Sequence, residues 1–162
     1  MSYNGLQYNE KTGINPLTGA PVDIPTALDR SEKKTFIAGG AISQGDWVAF
    51  DTSKTASARV LYCIEAAAVA NGNPSVVGVC IAAQNGFPAA AEDKITVVVR
   101  GYAEGASVAN AVNAANIPLV VDNTQAGQAV AIVAADIAPP CGFSLEAAAG
   151  NLADVYVYGL GS

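Results

Sequence analysis

The sequence predicts a mainly β protein: a compact barrel or sandwich of short strands, with an extended N-terminal arm and at most one short helix. Three observations carry this reading. Runs rich in Val, Ile, Tyr and Phe recur along the chain and end at Gly, Asn, Asp or Pro. Several runs are apolar on both alternating faces, as in strands covered on two sides. A glycine-punctuated pattern also occurs twice, which raises the prospect of a pseudo-duplicated fold.

Residues 1–34 read as an extended arm and 35–162 as the β domain. The arm holds Gly5, Gly13, Pro16, Gly19, Pro21 and Pro25 among polar residues and sustains no periodicity. Proline fixes φ and removes a donor, so neither helix nor ladder is expected there. Yet Tyr3, Leu6, Tyr8, Ile14, Pro16, Leu17, Val22 and Ile24 are spaced along it. A solvated tail has no need of them. They are the candidate partner-binding residues of an arm that lies along another surface; a disordered tail is the alternative.

Strands are expected at 35–38, 46–51, 59–65, 76–82, 94–101, 118–122, 129–133, 141–146 and 154–160. In 94–100, Ile95, Val97 and Val99 share one face, while Thr96, Val98 and Arg100 share the other. In 59–65, Val60, Tyr62 and Ile64 oppose Leu61 and Cys63. In 154–158, Val155 and Val157 back a paired tyrosine face, Tyr156 and Tyr158. Such a face caps a core or meets a partner, since tyrosine buries a ring and keeps a polar tip. Ser107–Ala115 is the one break: Val108, Ala111, Val112 and Ala115 fit a helix, but its asparagines fit irregular chain equally.

The two copies can be aligned by spacing. Asp51 and Asp122 lie 71 residues apart, Gly78 and Gly142 lie 64 apart, and Gly101 and Gly159 lie 58 apart. The falling offset describes a second copy with shorter loops. Chance similarity between all-β segments is the competing explanation.

Composition bears on function. Net charge is −6 and only 14% of residues are charged. An acidic chain without a basic stripe is not expected to bind nucleic acid directly. So few charges leave apolar surface for a partner to cover. No run reaches the ~20 apolar residues of a membrane helix, and no signal peptide is expected at the N-terminus.

The chain has no histidine, so Ser-His-Asp and Cys-His nucleophiles are excluded. The three cysteines, Cys63, Cys80 and Cys141, lie in apolar runs without a CxxC pair. Buried free thiols are expected, with one disulfide plus one thiol as the alternative. Glu92-Asp93 reads as a solvated loop, and Asp46, Asp51 and Asp122 lack the spacing of a calcium loop. Arg100, in an apolar strand, is expected to find a carboxylate. Trp47 reads as core. No catalytic residue, metal or cofactor is expected, so an enzyme is not.

The stretches 41–50 (apolar-Ser-x-Gly-Asp-x-Val), 75–83 (Val-Val-Gly-Val-x-x-Ala) and 93–101 (Asp-x-Ile-x-Val-x-x-x-Gly) resemble head decoration, or capsid cement, proteins of tailed bacteriophages. The second half of the β region fits more loosely. The resemblance implies a structural protein, homotrimeric, bound to the major capsid protein on the exterior of an icosahedral virion after synthesis in the host cytoplasm. It would reinforce the shell against DNA pressure, with the arm taking part in the contact. The alternative is a β-barrel binding module, such as a carbohydrate-binding or adhesin domain, with Trp47, Tyr62, Tyr156 and Tyr158 as its aromatic platform.

Overall fold

The computed structural model describes residues 31–158, apart from 71, 122–124 and 137. Nine strands follow in order: β1 (Ser31–Ala38), β2 (Trp47–Phe50), β3 (Tyr62–Glu65), β4 (Val76–Ala83), β5 (Lys94–Ser107), β6 (Pro118–Val120), β7 (Val130–Ala131), β8 (Gly142–Ser144) and β9 (Leu152–Val157). Among the described residues the one helix is a short 3-10 segment, Ala56–Val60. The predicted fold class is therefore the observed one.

Strands β1, β3, β2, β4 and β5 close a five-stranded barrel. Closure comes from β1, which lies parallel to β3 and antiparallel to β5. The remaining strands repeat these pairings. Val48–Glu65 and Ala49–Ile64 join β2 to β3; Leu119–Ala131 and Val120–Val130 join β6 to β7. Trp47–Val79 and Val48–Gly78 join β2 to β4; Pro118–Phe143 and Leu119–Gly142 join β6 to β8. Val79–Val98 and Cys80–Val97 join β4 to β5; Phe143–Tyr156 and Ser144–Val155 join β8 to β9.

The long strand β5 serves twice. Its first half closes the first barrel by pairing with β1, for example Phe36–Ile95 and Ile37–Lys94. Its second half takes the place of β1 in the repeat, with Ala106–Ala153 and Ser107–Leu152. Even the parallel contact recurs: Ala38 beside Cys63 is matched by a bridge from Val108 to Ala129. The spacings of 71, 64 and 58 residues seen in the sequence are the offsets that relate β2 to β6, β4 to β8, and the first half of β5 to β9. The duplication is structural and keeps register at these matched pairs; the β5–β9 ladder departs from that of β1–β5 beyond a bulge between Ala103 and Ala106.

Register explains the paired glycines. A Cβ on Gly78 would collide with the carbonyl oxygen of Val98, and one on Gly142 with that of Tyr156. Those two carbonyls are themselves equivalent. Close backbone approach admits glycine alone at both points.

Burial follows the repeat. Inside the first barrel lie Phe36, Ala38, Ile42, Val48, Cys63, Ile95, Val97 and Val99. Their counterparts Ala106, Val108, Val112, Leu119, Ala129, Ala153, Val155 and Val157 lie in the second cluster. The second set has smaller residues where the first has Phe36 and Ile95. Trp47, from the outer face of the first barrel, joins that second cluster. The expectation that Trp47 is core holds, at 0% exposure. Apolar side chains on both faces of β5 also find their cause: Val97 faces one cluster and Val98 the other.

Several boundaries differ from the sequence reading. β1 begins at Ser31, not Thr35, because Ser31–Lys34 already pair with β5 while Glu32, Lys33 and Lys34 stay exposed. β5 runs past Gly101 to Ser107; a bulge between Ala103 and Ala106, with Gly105 at φ +61°, absorbs the irregularity. Val60 and Leu61 are not in a strand but at the end of the 3-10 segment. Ser107 ends β5, Val108 makes a bridge to Ala129, and residues 109–115 form turns and irregular chain, so the irregular alternative is the observed one.

Candidate partner-binding surface

The arm residues singled out in the sequence, Tyr3, Leu6, Tyr8, Ile14, Pro16, Leu17, Val22 and Ile24, lie outside the described residues. The β domain offers three further features.

The first is an aromatic face on the repeated motif, β6 to β9. Alternation along β9 points Tyr156 and Tyr158 outward, and the β8–β9 register sets Phe143 opposite Tyr156. Phe143 and Tyr156 stack with centroids 5.3 Å apart; Phe143–Tyr158 and Tyr156–Tyr158 follow at 5.8 and 6.4 Å. All three rings are half-buried. Beside them, the Tyr102 hydroxyl donates to Asp154 Oδ2 at 2.6 Å, while Asp154 Oδ1 accepts the Gly105 N–H at 3.0 Å. The Tyr102 phenol is pushed up to about 12, chiefly because Asp154 holds its proton.

The second is a corner of exposed apolar side chains, Val60 and Leu61, at 57% and 52% exposure. The third is an open cavity of about 310 Å³ at one mouth of the first barrel, lined by Phe36, Phe50, Val60 and Val99 with Glu32, Lys34 and Arg100 at its rim. Lys34 pairs with Glu32 at 3.2 Å. The expected intramolecular bridge for Arg100 is not made among the described residues: its side chain projects outward from the strand into solvent.

Groups that could do chemistry are engaged elsewhere. Burial pushes the Cys63 and Cys80 thiols up to about 12, and all three cysteines are free. Cys141 donates its thiol proton to the Leu119 carbonyl at 3.3 Å. Glu92 accepts from the Tyr62 hydroxyl at 2.7 Å, and Asp93 accepts the Ala90 N–H at 2.9 Å. Tyr62 thus carries Glu92 on its hydroxyl and Lys54 over its ring at 4.3 Å, apart from the aromatic face. Asp51 takes Ser53 through both its N–H and hydroxyl. Asp122 lies outside the described residues. No group of three or more metal-ligating side chains occurs among the described residues, and no helix there is long and apolar enough to cross a membrane.

Sequence reasoning found Tyr156 and Tyr158 but missed Phe143, which joins them only through cross-strand register. It also missed the exposure of Val60 and Leu61, because an apolar run carries no sign of which members leave the strand.

No known family's sequence profile matches the chain, and no curated protein matches it. Among solved structures, a chain in "The capsid of Myoviridae Phage XM1" shares the fold, with a TM-score of 0.53 at 16% identity. The match covers 96% of this chain and 97% of that one.

Proposed function

We propose that this chain is a structural virion protein that binds the major capsid protein on the outer surface of an icosahedral phage head and stabilises the shell against packaged DNA. The observation that carries this reading is the fold shared, over nearly the whole of both chains, with a chain from a phage capsid structure. The sequence motifs at 41–50, 75–83 and 93–101 point the same way, and the structure gives them turn and core roles that suit a rigid scaffold.

The mechanism is multivalent clamping. The β domain fixes exposed apolar corners and an aromatic face on one scaffold, and the arm adds contact area on the shell. Each contact is modest, but linking them raises effective concentration and makes the sum tight. Expanded shells are the substrate for the test. The full chain is expected to co-sediment with them and to raise the temperature at which they rupture. A chain lacking residues 1–30 is expected to keep its β circular-dichroism spectrum and bind more weakly. No sedimentation of the full chain with shells sinks the proposal.

A carbohydrate-binding module would need an aromatic platform, and Trp47 is unavailable for one because it is fully buried. The Phe143, Tyr156 and Tyr158 face is what such a reading would have to use. Glycan-array binding lost on Tyr156→Ser would favour it over capsid binding.

A further inference from the structure

On one side the wall of the first barrel closes only part of the way. β1 pairs with β5 from Ser31 to Ile37, but with β3 only at Ile37–Tyr62 and Ala38–Cys63. The Ile37 N–H reaches toward β3, to the Leu61 carbonyl at 2.8 Å. Backbone groups alternate sides along a strand, so the N–H and C=O of Thr35 and Lys33 face the same way. Among the described residues no strand pairs with them there. They form an open edge, which an extended peptide can join through main-chain hydrogen bonds.

The cavity of about 310 Å³ lies beside this edge. Phe36 and Val99 line it from the paired strands, and Phe50 and Val60 from the other side. Phe36 and Phe50 meet edge to face with centroids 6.2 Å apart, so the floor is aromatic. Val60 is left 57% exposed.

The rim is cationic. Lys34 is held by Glu32 at 3.2 Å, whereas Arg100 has no ion pair among the described residues, so one positive charge is left over. Charge also divides the chain. All eight lysines and arginines lie at or before Arg100, while Glu104, Asp136, Glu146 and Asp154 follow it with no cation among them. An acidic ligand is therefore repelled by the repeated motif and admitted at the mouth of the first barrel.

We infer that this mouth docks an extended acidic peptide segment of the shell protein. The segment's backbone pairs with Lys33 and Thr35, one apolar side chain fills the cavity, and a carboxylate meets Arg100. Side chains two apart on a strand share a face, so the segment carries its acid two residues from its apolar anchor. The docking chemistry follows from the mouth itself; assigning the segment to the shell protein rests on the capsid reading.

The experiment is nuclear magnetic resonance of the ¹⁵N-labelled full chain, titrated with an end-blocked peptide, Glu-Thr-Leu-Thr-Glu. The amides of Lys33, Thr35, Phe36 and Arg100 are expected to shift. Arg100→Glu, or the peptide with glutamine in place of glutamate, is expected to weaken binding about tenfold. Arg100 is exposed, and the glutamine peptide reports on the charge even if the variant misfolds. No shift at these amides overturns the inference, whether the mouth is empty, filled by residues 1–30 of the same chain, or filled by a second copy. Equal binding of the glutamine peptide overturns it too. With expanded shells, Arg100→Glu is expected to lose most of the wild-type binding. Undiminished shell binding by a folded Arg100→Glu chain overturns the shell assignment while leaving the capsid reading standing. A wild-type chain that ignores shells sinks the capsid reading, and the shell assignment with it, while the peptide titration still decides the chemistry of the mouth.

Discussion

The indole N–H of Trp47 donates to the carbonyl oxygen of Ser107 across 3.0 Å, joining β2 of the first motif to the point where β5 ends. Ser107 in turn donates its N–H to the Gly45 carbonyl at 2.8 Å. Trp47 thus belongs by chain position to the first barrel and by packing to the second. It is the only tryptophan of the chain, so one fluorophore reports on the seam between the two motifs.

Removing that side chain is expected to loosen both motifs. Trp47→Ala should cost about 3–5 kcal/mol, the range for truncating a large buried aromatic. Urea unfolding followed by circular dichroism measures the loss. In the wild type, Trp47 emission should be blue-shifted and resistant to iodide until the same transition.

Gly78 and Gly142 should respond alike. An added methyl at either meets a backbone carbonyl that cannot swing aside, so Gly78→Ala and Gly142→Ala should each destabilise by about 1–3 kcal/mol, as overpacking does. Gly40→Ala is the control, since nothing lies within 4 Å of its added Cβ. Equal losses at 78 and 142 with little change at 40 would support the register of the repeat.

Asp46 carries a pH signature. Burial at the seam, helped by the charge of Glu65, raises its carboxyl from 3.8 to about 6, against the lowering effect of the Ser43 N–H at 2.7 Å. A folded-state pKa above the unfolded value means the native state holds the proton more tightly. Its contribution is full below about pH 4 and is lost as pH rises through about 6. Asp46→Asn keeps an acceptor for Ser43 and removes the charge. The variant should therefore gain stability relative to wild type between pH 4 and pH 7, with little difference at pH 4, as read by urea midpoints.

The thiols should be silent in the native state. Cys63 and Cys80 are buried with thiols pushed up to about 12. Ellman's reagent at pH 8 should label them only as fast as the protein opens, and fully in denaturant. Rapid labelling of native protein would reopen a thiol-based activity.

Much of the architecture was legible because the sequence repeats its constraints. Gly78 and Gly142 must be glycine for the same steric reason, and the apolar alternation around them sets which residues face inward. Other parts left no local trace. Ser31–Lys34 read as arm because their side chains are polar, although strand pairing there depends only on the β5 backbone. The second half of β5 was invisible because glycines at 101 and 105 imitate a strand end while permitting a bulge. Ring closure in the second motif rests on one bridge, Val108 to Ala129, too short for periodicity to register. The surface was less legible than the core: Phe143 joins Tyr156 and Tyr158 through tertiary register, and Val60 and Leu61 look like strand residues until the 3-10 segment turns them outward.

The most direct test of the central proposal, that this chain belongs to a phage head, is cryo-electron microscopy of mature phage virions purified from the source of this chain. The account predicts ordered density for the paired barrels on the outer surface of the head, touching the major capsid protein. Virions whose heads lack this chain would contradict it.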